Sequence, residues 1–327
     1  MNEYKSTSIH GRIIAIKSSL VEVEGLERKA KLHDLVKITK QNIYGEVIQI
    51  FSDRVIIQCF ENTDNIKLNQ EVENLKEPLS MELAPGLLGN IFDGTQRPLD
   101  KLFNSTGNGF LERGAELPSL SREEKWHFKP LRSEPAEVSG GDVIGVVQET
   151  PAIKHYIMIP PSVAGKLTSV ADEGEYSIED EIYTIRDDET ETNFNMIQRW
   201  PVTKSRPFKR KSDPSEPLIT GQRVIDLLFP IAKGGTVSIP GGFGTGKTVL
   251  QQTMAKWCNA DIIVFVSCGE RGNEVADVLE QFSELVDPRT DRPLLERLIM
   301  VSNTSNMPVS AREASIFSGI TIAEYYR

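Results

Sequence analysis

Residues Gly241 to Thr248 read Gly-Gly-Phe-Gly-Thr-Gly-Lys-Thr, a glycine followed by four free positions and then Gly-Lys-Thr. That is the spacing of a loop that cradles phosphate groups. Glycines let backbone N–H groups turn inward, and a helix starting at the lysine adds the positive end of its dipole, so a triphosphate can be held with few side chains. In that chemistry Lys247 neutralises the β and γ phosphates and the Thr248 hydroxyl ligates Mg2+. Gly241, Gly242, Phe243, Gly244, Thr245, Gly246, Lys247, Thr248 and Val249 are therefore the expected nucleotide-binding residues. A glycine-rich turn could end in Gly-Lys-Thr by chance. The flanks argue otherwise, since Thr236 to Ile239 is apolar and β-branched like a buried strand and Val249 to Cys258 reads as a helix.

A second chemical pattern follows one strand later, in Gly269-Glu270-Arg271-Gly272-Asn273-Glu274. In open α/β sheets, residues just past the carboxyl end of a strand face the ligand crevice. Glu270 there could orient an attacking water toward the γ phosphate, and Arg271 could reach phosphate oxygens or brace a neighbouring chain. Lys247, Glu270 and Arg271 are the expected catalytic residues. A plainer role for Glu270 is to cap the next helix against its N-terminal dipole. A phosphate loop one strand earlier favours the catalytic role.

The elements that must position these groups change character along the chain. Between His10 and Phe60, Arg12 to Ile16, Leu20 to Val23, Tyr44 to Ile50 and Arg54 to Phe60 are short β-branched runs separated by turn formers, which predicts a small β barrel. Ala84 to Leu99, with its glycines and prolines, reads as a connector. From Glu112 to Asp188 the chain is strand-like again, with Asp142 to Gln148 one candidate strand and Ile153, His155, Ile157 and Ile159 alternating at period two. His155 is expected to be an ordinary strand residue rather than a ligand, and the charged runs Asp187 to Glu191 and Lys209 to Lys211 to be solvated loops. From Gly221 onward strands and helices alternate. Asp261 to Cys268 and Leu298 to Val301 read as buried parallel strands, Val275 to Leu285 as a helix, and Ala311 to Arg327 as a helix facing inward through Ala314, Phe317, Ile320 and Tyr325. The predicted fold class is α/β with an all-β N-terminal part. Its expected parts are a barrel over 1–75, a connector and the start of the nucleotide-binding domain over 76–111, a strand-rich inserted region over 112–190, and a P-loop parallel sheet with flanking helices over 191–327.

Composition narrows the function further. In 327 residues, 39% apolar and 26% charged content suffices for more than one buried core. A formal net charge of −10 disfavours a nucleic-acid binder, because a phosphate backbone demands a basic surface. No apolar run approaches membrane-span length, and Met1 to Gly11 lacks the basic start and apolar stretch of a secretory signal, so a cytoplasmic location is expected. Cys59, Cys258 and Cys268 and four scattered histidines show no structural-metal spacing.

The run Gly241 to Val249, the segment Cys268 to Glu274, and Ser302 to Ala314 (Ser-Asn-Thr-Ser-Asn-Met-Pro-Val-Ser-Ala-Arg-Glu-Ala) together resemble the catalytic A subunits of V-type and A-type rotary ATPases. The resemblance extends to Pro85-Gly86-Leu87-Leu88-Gly89, to Ile91-Phe92-Asp93-Gly94, to Met196 to Val202 and to Leu218 to Asp226, and so covers nearly the whole chain. It implies a barrel that helps form the crown of a hexamer, a RecA-like nucleotide domain, and an inserted region that distinguishes this subunit from the β subunit of F-type enzymes. It implies ATP or ADP with Mg2+ as ligands, with Lys247 binding phosphate, Thr248 ligating the metal, Glu270 placing the water and Arg271 at the phosphate end. The implied partners are non-catalytic B subunits alternating in the hexamer, central and peripheral stalk subunits, and a membrane sector reached through them, with the chain on the cytoplasmic side.

Two departures stand out. Thr245 occupies a loop position where vacuolar members often carry a cysteine, so no redox switch is expected there. In the family, the helix ending Ala323-Glu324-Tyr325-Tyr326-Arg327 is followed by the Walker B strand, an adenine pocket and a helical domain; a chain ending at Arg327 is expected to be truncated before that strand and to hydrolyse nucleotide hardly at all by itself. Three functions follow. One is the catalytic subunit of a proton- or sodium-translocating ATPase, which would need an arginine supplied by the neighbouring subunit because this chain offers no obvious candidate of its own. The others are another hexameric RecA-like motor such as a protein-export ATPase, disfavoured by the inserted region, and a non-catalytic assembly or regulatory fragment.

Overall fold

Six strands between Ile9 and Pro78 close on themselves in the computed structural model, which describes residues 9–106, 113–132, 135–188, 190–242 and 244–327. They are β1 (Ile9–Lys17), β2 (Leu20–Glu24), β3 (Asp34–Ile38), β4 (Ile43–Ile50), β5 (Val55–Cys59) and β6 (Glu71–Pro78), in the order β1-β2-β5-β4-β3-β6. Alternation drives the closure: on β3, Asp34, Val36 and Ile38 point inward, and Val36 meets Val23, Ile57 and Val72 in a core of their own. Strands β3 and β6 escape a search for apolar runs because charged residues such as Lys37, Glu73 and Lys76 fill their outward positions. Closure leaves no strand edge of the barrel unpaired.

The connector contributes β7 (Ser80–Leu83), β8 (Ile91–Phe92) and helix α1 (Leu99–Thr106). Two four-stranded antiparallel sheets follow, built from β9 (Lys125–Pro130), β10 (Ala136–Val138), β11 (Val143–Gln148), β12 (Lys154–Met158), β13 (Gly165–Val170), β14 (Gly174–Ser177), β15 (Tyr183–Asp187) and β16 (Thr190–Phe194), in orders β10-β13-β15-β16 and β12-β11-β9-β14. Strand β17 (Gln198–Pro201) returns to pair antiparallel with β7. Glu82 on β7 fastens both ends of this excursion, since it accepts from Arg122 at 2.8 and 2.9 Å and from Arg199 at 2.9 Å.

The last part holds β18 (Pro217–Leu218), α2 (Arg223–Leu228), β19 (Ile231–Ala232), α3 (Lys247–Trp257), β20 (Ile263–Cys268), α4 (Gly272–Glu284), β21 (Val286–Asp287), β22 (Arg292–Pro293), a 3₁₀ turn over Leu294–Arg297, β23 (Leu298–Asn303) and α5 (Val309–Tyr326). Its sheet is parallel, in the order β20-β23-β8, and the connector strand β8 completes it from more than 200 residues away, Met300 pairing with Ile91. All six residues of β23 are buried, as a strand covered on both faces requires.

Two expectations about this part need correction. Thr236 to Ile239 forms no strand: no described strand lies alongside to share a ladder, and Val237 is 50% exposed. Phe317 and Ile320 face outward at 50% and 53% exposure, whereas α5 packs through Ser310, Ala311, Ala314, Ser315, Ser318 and Gly319. The reason is distance of approach: a Cβ on Gly319 would lie 2.3 Å from Val266 Cγ2, so at that position the helix meets β20 with no room for a side chain.

A buried ionic joint ties the strand-rich region to α5. Glu149 Oε1 accepts the backbone N–H groups of Gly86, Leu87 and Leu88 at 2.8, 2.9 and 3.1 Å. His155 Nδ1 lies 2.6 Å from Oε2, and Nε2 lies 2.7 Å from the Tyr325 hydroxyl. A carboxylate only accepts, so Nδ1 carries the proton, and Tyr326 donates to the same carboxylate at 2.9 Å. His155 is thus a fully satisfied strand residue, 2% exposed. Burial pushes the Glu149 pKa up, but His155 and the amides of Leu88 and Gly86 outweigh it and hold the group below its usual 4.5. A carboxylate depressed in the folded state stabilises fully above its unfolded value and loses that contribution as pH falls through its folded one. Glu149→Gln is expected to cost about 3 kcal/mol at neutral pH, the gap from wild type narrowing below about pH 4.5; thermal denaturation of both proteins across that range measures it.

Candidate nucleotide-binding site

The chain arrives at the phosphate loop without regular structure and leaves it as a helix. Gly246 makes the change, with φ of 85° in the left-handed region that a Cβ resists, and α3 begins at Lys247. The first turn of α3 holds no acidic residue and its cap makes no side-chain hydrogen bond, so the positive end of the helix stays uncompensated. The next helix differs: Glu274 in the first turn of α4 accepts the backbone N–H of Arg271 at 3.4 Å and neutralises that end. Of the two helix starts, α3 is the one suited to an anion.

Around this start the backbone encloses open space. A Cβ on Gly242, Gly244 or Gly246 would meet nothing within 4 Å. Thr245 Oγ1 donates to Gly242 O at 2.9 Å and keeps the loop curved. Lys247 Nζ donates to the carbonyls of Gly241 and Gly242, both at 2.6 Å, so the amine sits across the loop. Thr248 follows in the first helical turn, half-buried, while Val249 is 64% exposed. Phe243 lies outside the described residues. These features fit a phosphate chain with a hydrated magnesium ion. Among the described residues no group of three or more His, Cys, Asp or Glu side chains could hold a metal, but Mg2+ characteristically takes few protein ligands and completes its shell with phosphate oxygens and water.

The second group of site residues gathers where β20 ends. Glu270 is half-buried, and its Oε2 accepts from the hydroxyl of Ser267, a fully buried residue of the same strand, at 3.0 Å. The loop is held from β23 by Gly269 N to Asn303 O at 2.7 Å and by Ser305 N to Glu270 O at 2.8 Å. Glu274, not Glu270, takes the capping role, and the Glu270 carboxylate is oriented instead by the Ser267 hydroxyl. Arg271 is exposed at the N-cap of α4.

Sequence reasoning missed Arg312. Its Nη1 and Cδ lie 3.3 Å from where a Cβ on Gly269 would be, and its Nε is buried without a hydrogen-bond acceptor. A cation of this chain therefore stands beside the Glu270 loop. The signal was present in Ser-Ala-Arg-Glu of the 302–314 motif, but only the packing of α5 on β20 brings it to Gly269. A separate cavity of about 420 Å3 lies between barrel and strand-rich region, away from these residues. Two of its lining carboxylates are paired, Glu116 with Lys37 at 2.7 Å and Glu61 with Arg97 at 2.9 Å.

Comparison with known proteins agrees with this architecture part by part. Residues 13–76 match the beta-barrel domain of the ATP synthase alpha/beta family, 117–203 the ATP synthase alpha/beta subunit barrel-sandwich domain, and 221–327 the nucleotide-binding domain of the same family. The chain is 53% identical over 323 residues to the A subunit of the A-type ATP synthase of Methanopyrus kandleri, covering 98% of this chain and 54% of that protein. Proteins of the same description from Saccharolobus islandicus and Saccharolobus solfataricus are 50% and 51% identical over 318 residues, again 97% of this chain and 54% of theirs. The chain thus spans about half the length of the curated relatives it matches.

The two loop glycines separate backbone strain from ligand space. Gly246→Ala forces a Cβ onto a left-handed residue and is expected to cost about 1–2 kcal/mol. Gly242 is outside that region and open around its Cα, so Gly242→Ala should leave the melting temperature nearly unchanged while its methyl group weakens MgATP binding. Thermal denaturation and calorimetric titration of the two variants read the contrast.

Proposed function

We propose that this chain, which belongs to the ATP synthase alpha/beta family, binds ATP and ADP with Mg2+ and acts as the catalytic A subunit of a rotary, ion-translocating ATPase. The observation that carries the reading is the uncompensated start of α3, with Lys247 bridging two loop carbonyls at 2.6 Å and open space above three glycines. The amine exchanges those carbonyls for the β and γ phosphates when a nucleotide enters, and the first-turn amides of α3 hold the phosphate oxygens. Thr248 would ligate magnesium, which when bound would supply charge neutralisation for the phosphates.

Glu270 then receives a hydrogen bond from the attacking water and aims it at the γ phosphorus. Ser267 keeps its carboxylate turned toward the end of β20. Arg312 and Arg271 place positive charge beside the equatorial oxygens as negative charge builds on them. A further arginine from the neighbouring subunit completes that stabilisation. The partners of this reading are non-catalytic B subunits in an alternating hexamer, with central and peripheral stalks linking it to a membrane sector on whose cytoplasmic side the chain works. Among the described residues no helix is long and apolar enough to cross a membrane, which fits a subunit that reaches the membrane through others. The ion is a proton or sodium.

Binding and chemistry divide between Lys247 and Glu270 in two variants. Lys247→Ala is expected to abolish detectable MgATP binding by the chain. Glu270→Gln should bind MgATP within a few-fold of wild type yet lower hydrolysis by the assembled complex about 100- to 1,000-fold. Fluorescent-nucleotide titration and phosphate release test the pair; an unimpaired Glu270→Gln complex would remove Glu270 from the mechanism.

A further inference from the structure

Helix α3 is poorly anchored for an element that is asked to aim a catalytic lysine. Ala255, near its C-terminal end, is its only buried side chain. Its N-terminal half holds no buried side chain, and Val249 there is 64% exposed. What fastens the helix lies past its far end. Arg297, the last residue of the 3₁₀ turn before β23, is 2% exposed and is among the largest fully buried side chains. Its Nη2 donates to the carbonyls of Ala255 and Lys256 at 3.4 and 3.3 Å, and its Nη1 to Ala260 O at 2.7 Å. Those first two acceptors belong to the last turn of α3, where carbonyls have no partner within the helix.

The guanidinium is itself held. Its Nε lies 2.9 Å from Oδ2 of Asp287, which is also 2% exposed. Arg289 braces the same carboxylate through its backbone N–H at 3.0 Å and shares the Ala260 carbonyl through Nη2 at 2.9 Å. Burial disfavours the charge on Arg297, and Asp287 opposes that loss. The clamp therefore joins β21, the 3₁₀ turn and the end of α3. A second fastening sits at the same end, where Asn259 and Ile219 exchange hydrogen bonds of 3.0 Å. Among the described residues no comparable fixture stands at the loop end.

We infer that Arg297 is a positioning residue for the phosphate loop: it pins the last turn of α3 to the base of β23, and the helix carries that constraint to Lys247 and Thr248. The lever arm of an 11-residue helix is about 16 Å. A cation at the C-terminal carbonyls also favours the negative end of the dipole whose positive end meets the phosphates. The inference rests on the nucleotide reading of the loop for its consequence but not for its existence.

The test uses Arg297→Met, which keeps side-chain length and leaves Asp287 its partner Arg289, and Arg297→Lys, which keeps charge without the fork. Backbone amide exchange of α3 and α4 is read alongside MgATP affinity, with the barrel variant Ile57→Ala as a control for general destabilisation. In Arg297→Met, exchange in α3 is expected to rise at least about tenfold while α4 changes little, and MgATP to bind roughly 10- to 100-fold more weakly. Arg297→Lys should recover part of both, and Ile57→Ala should alter neither. Unchanged α3 exchange, or equal loosening of α3 and α4, overturns the clamp; should Arg297→Met not fold, Arg297→Lys is judged by the same two criteria. Wild type that fails to bind MgATP would instead remove the nucleotide reading, and the exchange data alone would then decide the clamp.

Discussion

Backbone amides beyond the reach of other backbone must find an acceptor, and where this chain supplies one determines what each segment does. At Gly86 to Leu88 three successive N–H groups converge on one oxygen of Glu149, and the result is a joint. At the start of α4, Glu274 supplies the acceptor and the helix is closed. At the start of α3 the chain withholds any acidic residue, and the positive end of that helix stays uncompensated. The phosphate loop is thus defined as much by the carboxylates kept away from it as by its glycines.

The joints also explain how regions far apart in sequence act on one site. The connector gives β8 to the parallel sheet, and Asn303 at the end of β23 accepts a hydrogen bond of 2.6 Å from Gly94 N just beyond β8. Ser310 and Ser318 on α5 donate to backbone carbonyls of Cys59 in the barrel and Gly94 in the connector, both at 2.6 Å. The C-terminal end of α5 reaches the strand-rich region through Tyr325 and Tyr326. One helix therefore touches the barrel, the connector, the strand-rich sheets and, through Arg312, the end of β20. A displacement of the strand-rich region would be felt along α5, because the buried Glu149 charge does not tolerate losing its donors.

Charge is placed economically around the site. Lys247 satisfies itself on loop carbonyls, and Arg312 lies against Gly269. The Glu270 carboxylate is oriented by a buried hydroxyl, that of Ser267 at 3.0 Å. Arg297, buried just before β23, stiffens the far end of the helix on which the lysine rides.

Local chemistry made much of this legible in the sequence. Gly241 to Thr248 carries the spacing expected of a phosphate loop because glycine spacing and the Gly-Lys-Thr ending act over a few residues, and the strands β20 and β23 announced themselves as continuous apolar runs for the same local reason. The barrel was readable in four of its six strands; β3 and β6 hid because their outward faces are charged. What the sequence could not hold was pairing at a distance. Thr236 to Ile239 has the letters of a strand but no described neighbour, His155 looks like any strand residue until Glu149 and Tyr325 close around it, and β8 is two residues that become a strand only beside Met300 and Val301. Arg312 and Arg297 gain their meaning from elements that fold against them, α5 on β20 and the end of α3 on the 3₁₀ turn. Residue types and short spacings fix which chemistry is available, whereas burial and hydrogen-bond partners depend on contacts between segments as much as 251 residues apart, and those exist only once the chain has folded.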